Sequence, residues 1–393
     1  MARQRPPPPA AYPWLVYGNG FRDQSFHTIS HPPSNQYYKD LHNISCVRSV
    51  PELCNKVVWN SCHGWLILSD DDNGDGQFSL FNPVTLECIL LPPSNYNLDP
   101  QTTIDTCTLS SPPTDPSCML FIFYRGLRRS RILICRIENK HWIEKRYDEE
   151  IEAIHERPIS NKDSLHLPVF CNGKLYASTR TYSQIVSIDM VEQDPINLVL
   201  KPLGIGLPWN YEYPSTRLIP CLVESDGDIY FINLICGGRS STDGFRVEIF
   251  KLDLTSVIWE RMESVKDRVF FLCSKYAISC PTDQVGGTCV YFTLFRNKSL
   301  YAYNIEDDSV SVFLPCPYLC FPWKSPIWVM PDLRLTNDDR GKAVHIDGKK
   351  RAKPRRRRRR RRRQRKEVVE KGEDEKILEA NEGLNLLDLP SDI

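Results

Sequence analysis

Between residues 13 and 330 short apolar runs alternate with turns rich in glycine, proline, aspartate and asparagine. The stretch from Ser61 to Pro93 sets the pattern. Gly64 ends a turn, and Trp65-Leu66-Ile67-Leu68 is an unbroken apolar run, as expected of a strand covered on both faces. An Asp/Asn/Gly turn over 70–76 leads to a second strand, Phe78 to Phe81. Asn82-Pro83-Val84-Thr85 places proline where it pre-sets the φ of a β-turn. In the third strand Leu86, Cys88 and Leu90 are expected on one face with Glu87 on the other, and Pro92-Pro93 stops it. The unit is a meander of antiparallel strands.

The unit recurs. Apolar strand starts fall at Pro13, Gly64, Cys118, Gly173, Asp228 and Cys289, with successive separations of 51, 54, 55, 55 and 61 residues. Each is followed by a further strand (131–138, 184–189, 245–254, 299–305) and then a half-buried outer one (141–147, 196–200, 257–262, 309–314). A period of about 50 residues with several short strands per unit is what propeller blades give. No useful helical periodicity appears before residue 340. The expected fold class is therefore all-β: a six-bladed β-propeller over 11–335. Its ring is closed by pairing 327–330 with the strand at Trp14, which leaves only short, protected edges. Residues 1–10 are expected to be a proline-rich arm. A disordered tail is expected over 336–393, with an Arg run at 355–363 and a short helix at 370–387.

Charge changes this picture. The net +1 of the chain hides a body of −8 over residues 1–339, a strap of +16 over 340–366 and an acidic end of −7 over 367–393. The strap contains Lys349, Lys350, Arg351, Lys353, Arg355, Arg356, Arg357, Arg358, Arg359, Arg360, Arg361, Arg362, Arg363, Arg365 and Lys366. Such a block repels itself and stays extended. It reads as a nuclear-import address or a non-specific nucleic-acid contact, since neutralising phosphates releases counterions. A solvated tail that folds back on the acidic ends is the plainer alternative. The strap holds no aromatic residue to stack on bases.

No secretory segment follows Met1, and no apolar run is long enough to span a bilayer. Fifteen cysteines without a CxxC read as small buried hydrophobes of a reducing compartment, nucleus and/or cytoplasm.

An ordered set of segments carries a family resemblance. They are Pro13-Trp14, Ser61-Cys62-His63-Gly64-Trp65-Leu66, Phe81-Asn82-Pro83, Leu91-Pro92-Pro93 and Gly173-Lys174-Leu175-Tyr176. Leu222-Val223-Glu224-Ser225, Phe250-Lys251-Leu252-Asp253, Trp259 and Asp267-Arg268-Val269-Phe270-Phe271-Leu272 continue it. Val290-Tyr291-Phe292-Thr293 and Pro326-Ile327-Trp328 complete it. The set resembles the plant F-box-associated KIB-type β-propeller family. The resemblance implies a propeller that selects a protein partner, behind an F-box that docks the adaptor of an SCF-type ubiquitin ligase. Only a dozen proline-rich residues precede Trp14, while Leu386 to Ile393 looks like the opening of an F-box. Binding of the adaptor is therefore not expected of this chain, and a defective gene copy is a further reading.

Candidate chemistry is sparse. Asp71, Asn73 and Asp75, with Gly76 sixth, match the first half of a calcium loop. The twelfth position is Asn82, which supplies no bidentate carboxylate, so an Asp/Gly-rich hairpin tip is the expectation and a weak calcium site the alternative. Cys316 with Cys320, and His27 with His31, lack the second half of a zinc site. No GxSxG, Walker loop or HExxH is present. No enzyme, cofactor or catalytic residue is expected. The expected role is binding of a protein partner through propeller loops around 70–76, 237–244 and 282–287, with no membrane contact. Import machinery or nucleic acid on the Arg run is the alternative partner.

Overall fold

The computed structural model describes residues 13–19, 26–30, 47–70, 77–94, 102–126, 130–139, 141–155, 164–180, 183–191, 197–208, 217–237, 244–265, 267–273, 276–282, 289–294, 297–314 and 326–331. The chain divides into units of residues Met1–Gly341 and Lys342–Ile393, and the second lies outside the described residues. The expected arm at 1–10, the calcium-loop residues Asp71, Asn73 and Asp75, and the tail at 336–393 with its Arg run and short helix also fall outside them. So do His31, Cys316 and Cys320.

The chain opens with β1 (Trp14–Asn19), β2 (Phe26–Ser30) and β3 (Val47–Val50). A four-stranded sheet follows: β4 (Val57–Cys62), β5 (Trp65–Ser69), β6 (Phe78–Phe81) and β7 (Cys88–Leu90). The next holds β8 (Thr103–Leu109), β9 (Met119–Arg125), β10 (Arg131–Arg136) and β11 (His141–Arg146), followed by helix α1 (Asp148–His155). Then come β12 (Leu165–Cys171), β13 (Lys174–Thr179), β14 (Gln184–Val191) and β15 (Asn197–Gly206). After them stand β16 (Arg217–Ser225), β17 (Asp228–Cys236), β18 (Phe245–Asp253) and β19 (Ile258–Met262). A five-stranded sheet, β20 (Arg268–Leu272), β21 (Ala277–Pro281), β22 (Cys289–Thr293), β23 (Leu300–Asn304) and β24 (Val310–Phe313), precedes the terminal β25 (Ile327–Val329).

Five sheets are thus built from consecutive strands. The sixth joins the two ends of the fold in the order β25-β1-β2-β3. The expected closure is an antiparallel pairing with Trp14 opposite Val329 and Leu15 opposite Trp328. The innermost strands touch in sequence, β25 to β4, β8, β12, β16, β21 and back to β25. The molecule is an all-β propeller.

The apolar runs now have a physical cause. Each second strand lies between two neighbouring sheets, and alternate side chains enter different interfaces. From β5, Trp65 and Ile67 pack with Leu120 and Ile122, while Leu66 and Leu68 pack with Trp14 and Val329. From β9, Phe121 and Phe123 pack with Leu175 and Ala177. Phe231 of β17 joins Tyr176 and Ile185 on one side, while Tyr230, Ile232 and Leu234 meet Phe270 and Phe292 on the other. Tryptophan N–H groups clasp neighbouring sheets: Trp142 Nε1 donates to Pro92 O at 2.8 Å, Trp259 Nε1 to Gly206 O at 2.8 Å and Trp328 Nε1 to Leu272 O at 3.0 Å. Arg180, at the end of β13, adds a two-bond contact to Asp105 of β8 at 2.6 and 2.7 Å.

Three features depart from the sequence pattern. In β7 it is Ile89 that packs inward, whereas Cys88 is exposed and Leu90 is 52% exposed. Leu86 takes a φ of +63°, so it has left the strand before the alternation begins. In the five-stranded sheet β21 folds back to become innermost, which leaves β20 parallel to β22. Helix α1 stands where no helical period shows; the Asp148 carboxylate caps the loop by accepting the Ser130 N–H at 2.9 Å, and Ile151 is buried.

The clasps and the turns can each be tested by substitution. Trp328→Ala should cost about 3–5 kcal/mol, read from urea unfolding, because its buried ring also packs edge-on against Phe271 at 4.9 Å. Trp328→Phe should cost less, about 1–3 kcal/mol, mainly the orphaned Leu272 carbonyl. The turns give a graded pair. A methyl group at Gly173 (φ +75°) would enter open space, whereas at Gly227 (φ +82°) a Cβ meets Asn172 Oδ1 at 3.2 Å. Gly173→Ala should cost about 1 kcal/mol for the left-handed backbone alone, and Gly227→Ala measurably more in the same urea series.

Candidate functional site

A cavity of 640 Å³ occupies the axis of the ring. It is lined by the C-terminal halves of β4, β8, β12 and β16, by β21, and by Met330 just after β25. Three of these strands carry register shifts, between Val58 and Asn60, Ile104 and Thr106, and His166 and Val169. A bulge re-aims the residues around it. Beside the first, Asn60 turns its Nδ2 across the axis side to the Cys107 carbonyl of the next sheet.

The rim is built by tight hairpin turns. Cys62 pairs with Trp65, Cys171 with Lys174 and Ser225 with Asp228, leaving two-residue loops His63-Gly64, Asn172-Gly173 and Asp226-Gly227. Both residues of each loop have positive φ, 51° and 80°, 50° and 75°, 56° and 82°. That is the I′ arrangement, which matches strand twist and favours Asn or Asp followed by Gly. Two rims touch: Asn172 Nδ2 donates to Gly227 O at 3.0 Å.

The charged part of the site lies where β16 meets β20 and β21. Arg268 donates from Nη1 to Ser225 Oγ and sits 5.7 Å above the Tyr230 ring. Its other contacts, to Asp226 and Asp267, are each 3.4 Å long, and those carboxylates are 86% and 73% exposed. Exposed pairs of this length contribute little. Glu224 receives the Gly227 N–H at 2.8 Å, and its carbonyl accepts Ser279 Oγ at 3.2 Å. Three carboxylates and one guanidinium thus leave the mouth at about −2 by formal charge.

Three thiols in and beside the cavity are shifted toward the protonated form by burial. Burial pushes the Cys62 thiol up, against the lowering effect of a hydrogen bond with Thr108. Burial likewise raises Cys118 and Cys171, each to about 11. Among the described residues no group of three His, Cys, Asp or Glu side chains is placed to hold a metal ion. Of the loops expected to make contacts, 282–287 begins beside the cavity, where Thr282 N–H bonds Asp267 O at 3.0 Å next to the lining residue Pro281. The loop 237–244 is closed by Gly237 N–H to Gly244 O at 3.0 Å, and neither residue lines the cavity. The basic residues from Lys349 to Lys366 lie outside the described residues. Sequence patterning missed Glu224, Asp226, Asp267 and Arg268. The available signal was the polar Glu-Ser-Asp-Gly at the end of an otherwise apolar strand.

The raised thiols have a measurable consequence. A thiol with a pKa near 11 is about 0.1% thiolate at pH 8. Peptide mapping after iodoacetamide treatment at that pH should find the exposed Cys54 alkylated in the native protein, and Cys62, Cys118 and Cys171 alkylated only after denaturation. Fast native alkylation of Cys62 would reopen a nucleophilic role.

Comparison with known proteins places this geometry. The family model of the KIB1-4 beta-propeller matches residues 32–314. "Putative F-box protein At5g38270" of Arabidopsis thaliana is 32% identical over 136 residues, which cover 32% of this chain and 32% of that protein. The chain therefore matches about a third of that relative's length. Among solved structures, a chain of a nidogen/laminin complex aligns at a TM-score of 0.43 with 10% identity, over 82% of this chain and 100% of that one. The Malassezia sympodialis allergen Mala s 1 aligns at 0.29 with 11% identity, over 70% and 90%. Neither likeness bears on the reading of the site. The family match spans most of the fold, from the first sheet to the end of β24, and agrees with the ring of sheets: this chain belongs to the KIB1-4 β-propeller family.

Proposed function

We propose that this propeller is a non-enzymatic platform that recognises a protein partner, related to the substrate-reading part of F-box proteins in SCF-type ubiquitin ligases. Taking each sheet as one blade gives a six-bladed ring, with five blades of consecutive strands and one shared by both ends. Family membership carries the reading. Burial raises the Cys62, Cys118 and Cys171 thiols, which argues against these three as nucleophiles. A rigid ring can vary its rim residues without disturbing the interfaces that hold it.

A second reading rests on the nine consecutive arginines Arg355 to Arg363. In it the protein is nuclear and works by neutralising phosphates of nucleic acid. The strap also supports nuclear entry as its purpose under the first reading.

Affinity capture from the native cells separates the two. Under the platform reading, the full chain and a chain lacking 349–366 recover the same protein partner in equal amount after nuclease treatment. Loss of that partner on deletion, together with nucleic-acid affinity that falls steeply with salt, overturns it in favour of the second. Probing the same eluates for the SCF adaptor reports whether a ligase is assembled.

A further inference from the structure

The interface between the sheet of β12–β15 and the sheet of β16–β19 changes character along its length. Its apolar cluster contains Phe231 of β17 and Phe250 of β18, together with Tyr176 of β13 and Ile185 of β14. Side chains two residues apart on a strand share a face. The next positions on that face are therefore Asn233 and Glu248, which stand opposite each other in the ladder. Asn233 is 0% exposed and Glu248 4%.

Neither side chain is satisfied by its neighbours. Asn233 Oδ1, Asn233 Nδ2 and Glu248 Oε2 are buried and have no hydrogen-bond partner among the described residues. Glu248 Oε1 is turned to Arg246 Nη2 at 3.3 Å and Arg261 Nη2 at 3.8 Å, both on half-exposed guanidinium groups. On β16 the residue opposite Asn233 is Pro220, whose side chain has no polar atom. The pair cannot complete itself. A carboxylate only accepts, so Glu248 can take the Asn233 Nδ2–H but has no hydrogen to give Oδ1. Buried polar groups nearly always have partners, because leaving them unpaired is costly.

We propose that Asn233 and Glu248 hold internal water between these two sheets. The unpaired set is two acceptors and one donor, and a water molecule offers two hydrogens and two lone pairs. One molecule donates to Asn233 Oδ1 and Glu248 Oε2, and a second accepts the Nδ2–H. Internal waters typically make about three hydrogen bonds to such groups. A metal cation is a poorer guest, because Arg246 and Arg261 already oppose the one carboxylate. An anion meets Oδ1 and Oε2, both electron-rich. None of these four residues lines the axial cavity, so the site is separate from it and independent of the platform reading.

The test is a crystal structure of the full chain at a resolution that shows ordered water. It is paired with magnetic relaxation dispersion of solvent water, which counts waters held inside the protein. The wild-type crystal should show a water peak within about 3.2 Å of both Asn233 Oδ1 and Glu248 Oε2. In solution Asn233→Leu, a change of similar shape that removes both amide atoms, should lose one or two long-lived waters. Urea unfolding checks that this variant is folded, and the wild-type crystal decides the matter if it is not. Density that shows Asn233 and Glu248 bonded to other protein groups, with no water between the sheets, overturns the proposal. So does an unchanged count of long-lived waters in a folded Asn233→Leu.

Discussion

The whole fold depends on the pairing of β25 with β1. A row of sheets that each bury both faces has two ends, and each end presents an apolar face with no cover. Pairing the last strand with the first turns those two faces into cover for one another. Leu15 and Tyr17 then pack against Phe271 and Tyr291, and Trp14 and Val16 against Leu66 and Phe81. Closing a loop between residues 14 and 329 costs chain entropy that grows only as the logarithm of its length, about 5 kcal/mol beyond a constant. Burying Trp14 and Trp328 contributes about 3–5 kcal/mol each. The two indoles alone therefore offset the length-dependent part of closure, and the sheet contacts around them add to it.

Closure also explains which parts of the fold were legible in the sequence. A strand between two neighbouring sheets is apolar on both faces, so Trp65–Leu68, Met119–Tyr124 and Ile229–Leu234 announce themselves. The turns before three second strands are legible for a related reason: two successive positive φ values leave His-Gly, Asn-Gly or Asp-Gly as the residues that fit. The innermost strands are harder to read. β12 alternates buried and half-buried positions, and β4 has three half-buried residues before its buried pair. Leu167 also has a φ of +52° beside Pro168, at the register shift between His166 and Val169. The fold-back of β21 is set by tertiary contacts, among them Ser279 to the Glu224 carbonyl and Tyr276 Oη–H to the Trp328 carbonyl at 2.8 Å. No local pattern encodes those partners.

The same asymmetry separates what holds the ring from what it presents. Side chains between sheets have neighbours on every side and are mostly apolar. Inward-facing side chains of the innermost strands face the axial space, where polarity costs little as long as water or a neighbouring strand's polar group satisfies it, as Cys107 O does for Asn60. Asn60, Thr108, Glu224 and Ser279 occupy such positions, on four different sheets. Chemistry on the axis can change without a change in the interfaces.

The mouth shows how far that freedom is constrained. Arg268 is 13% exposed, and burying its guanidinium requires partners. Ser225 and the Tyr230 ring supply the enclosed ones, and Asp226 and Asp267 lie on the solvent side. Tyr230 belongs to the interface between two sheets, whereas the aspartates stand in a turn and at the start of a strand. The guanidinium is thus tied inward to the structural core and outward to the rim of the cavity. Substituting the aspartates changes the rim alone, because the enclosed contacts of Arg268 remain. Substituting Arg268 removes a group packed on Tyr230 and shifts an interface.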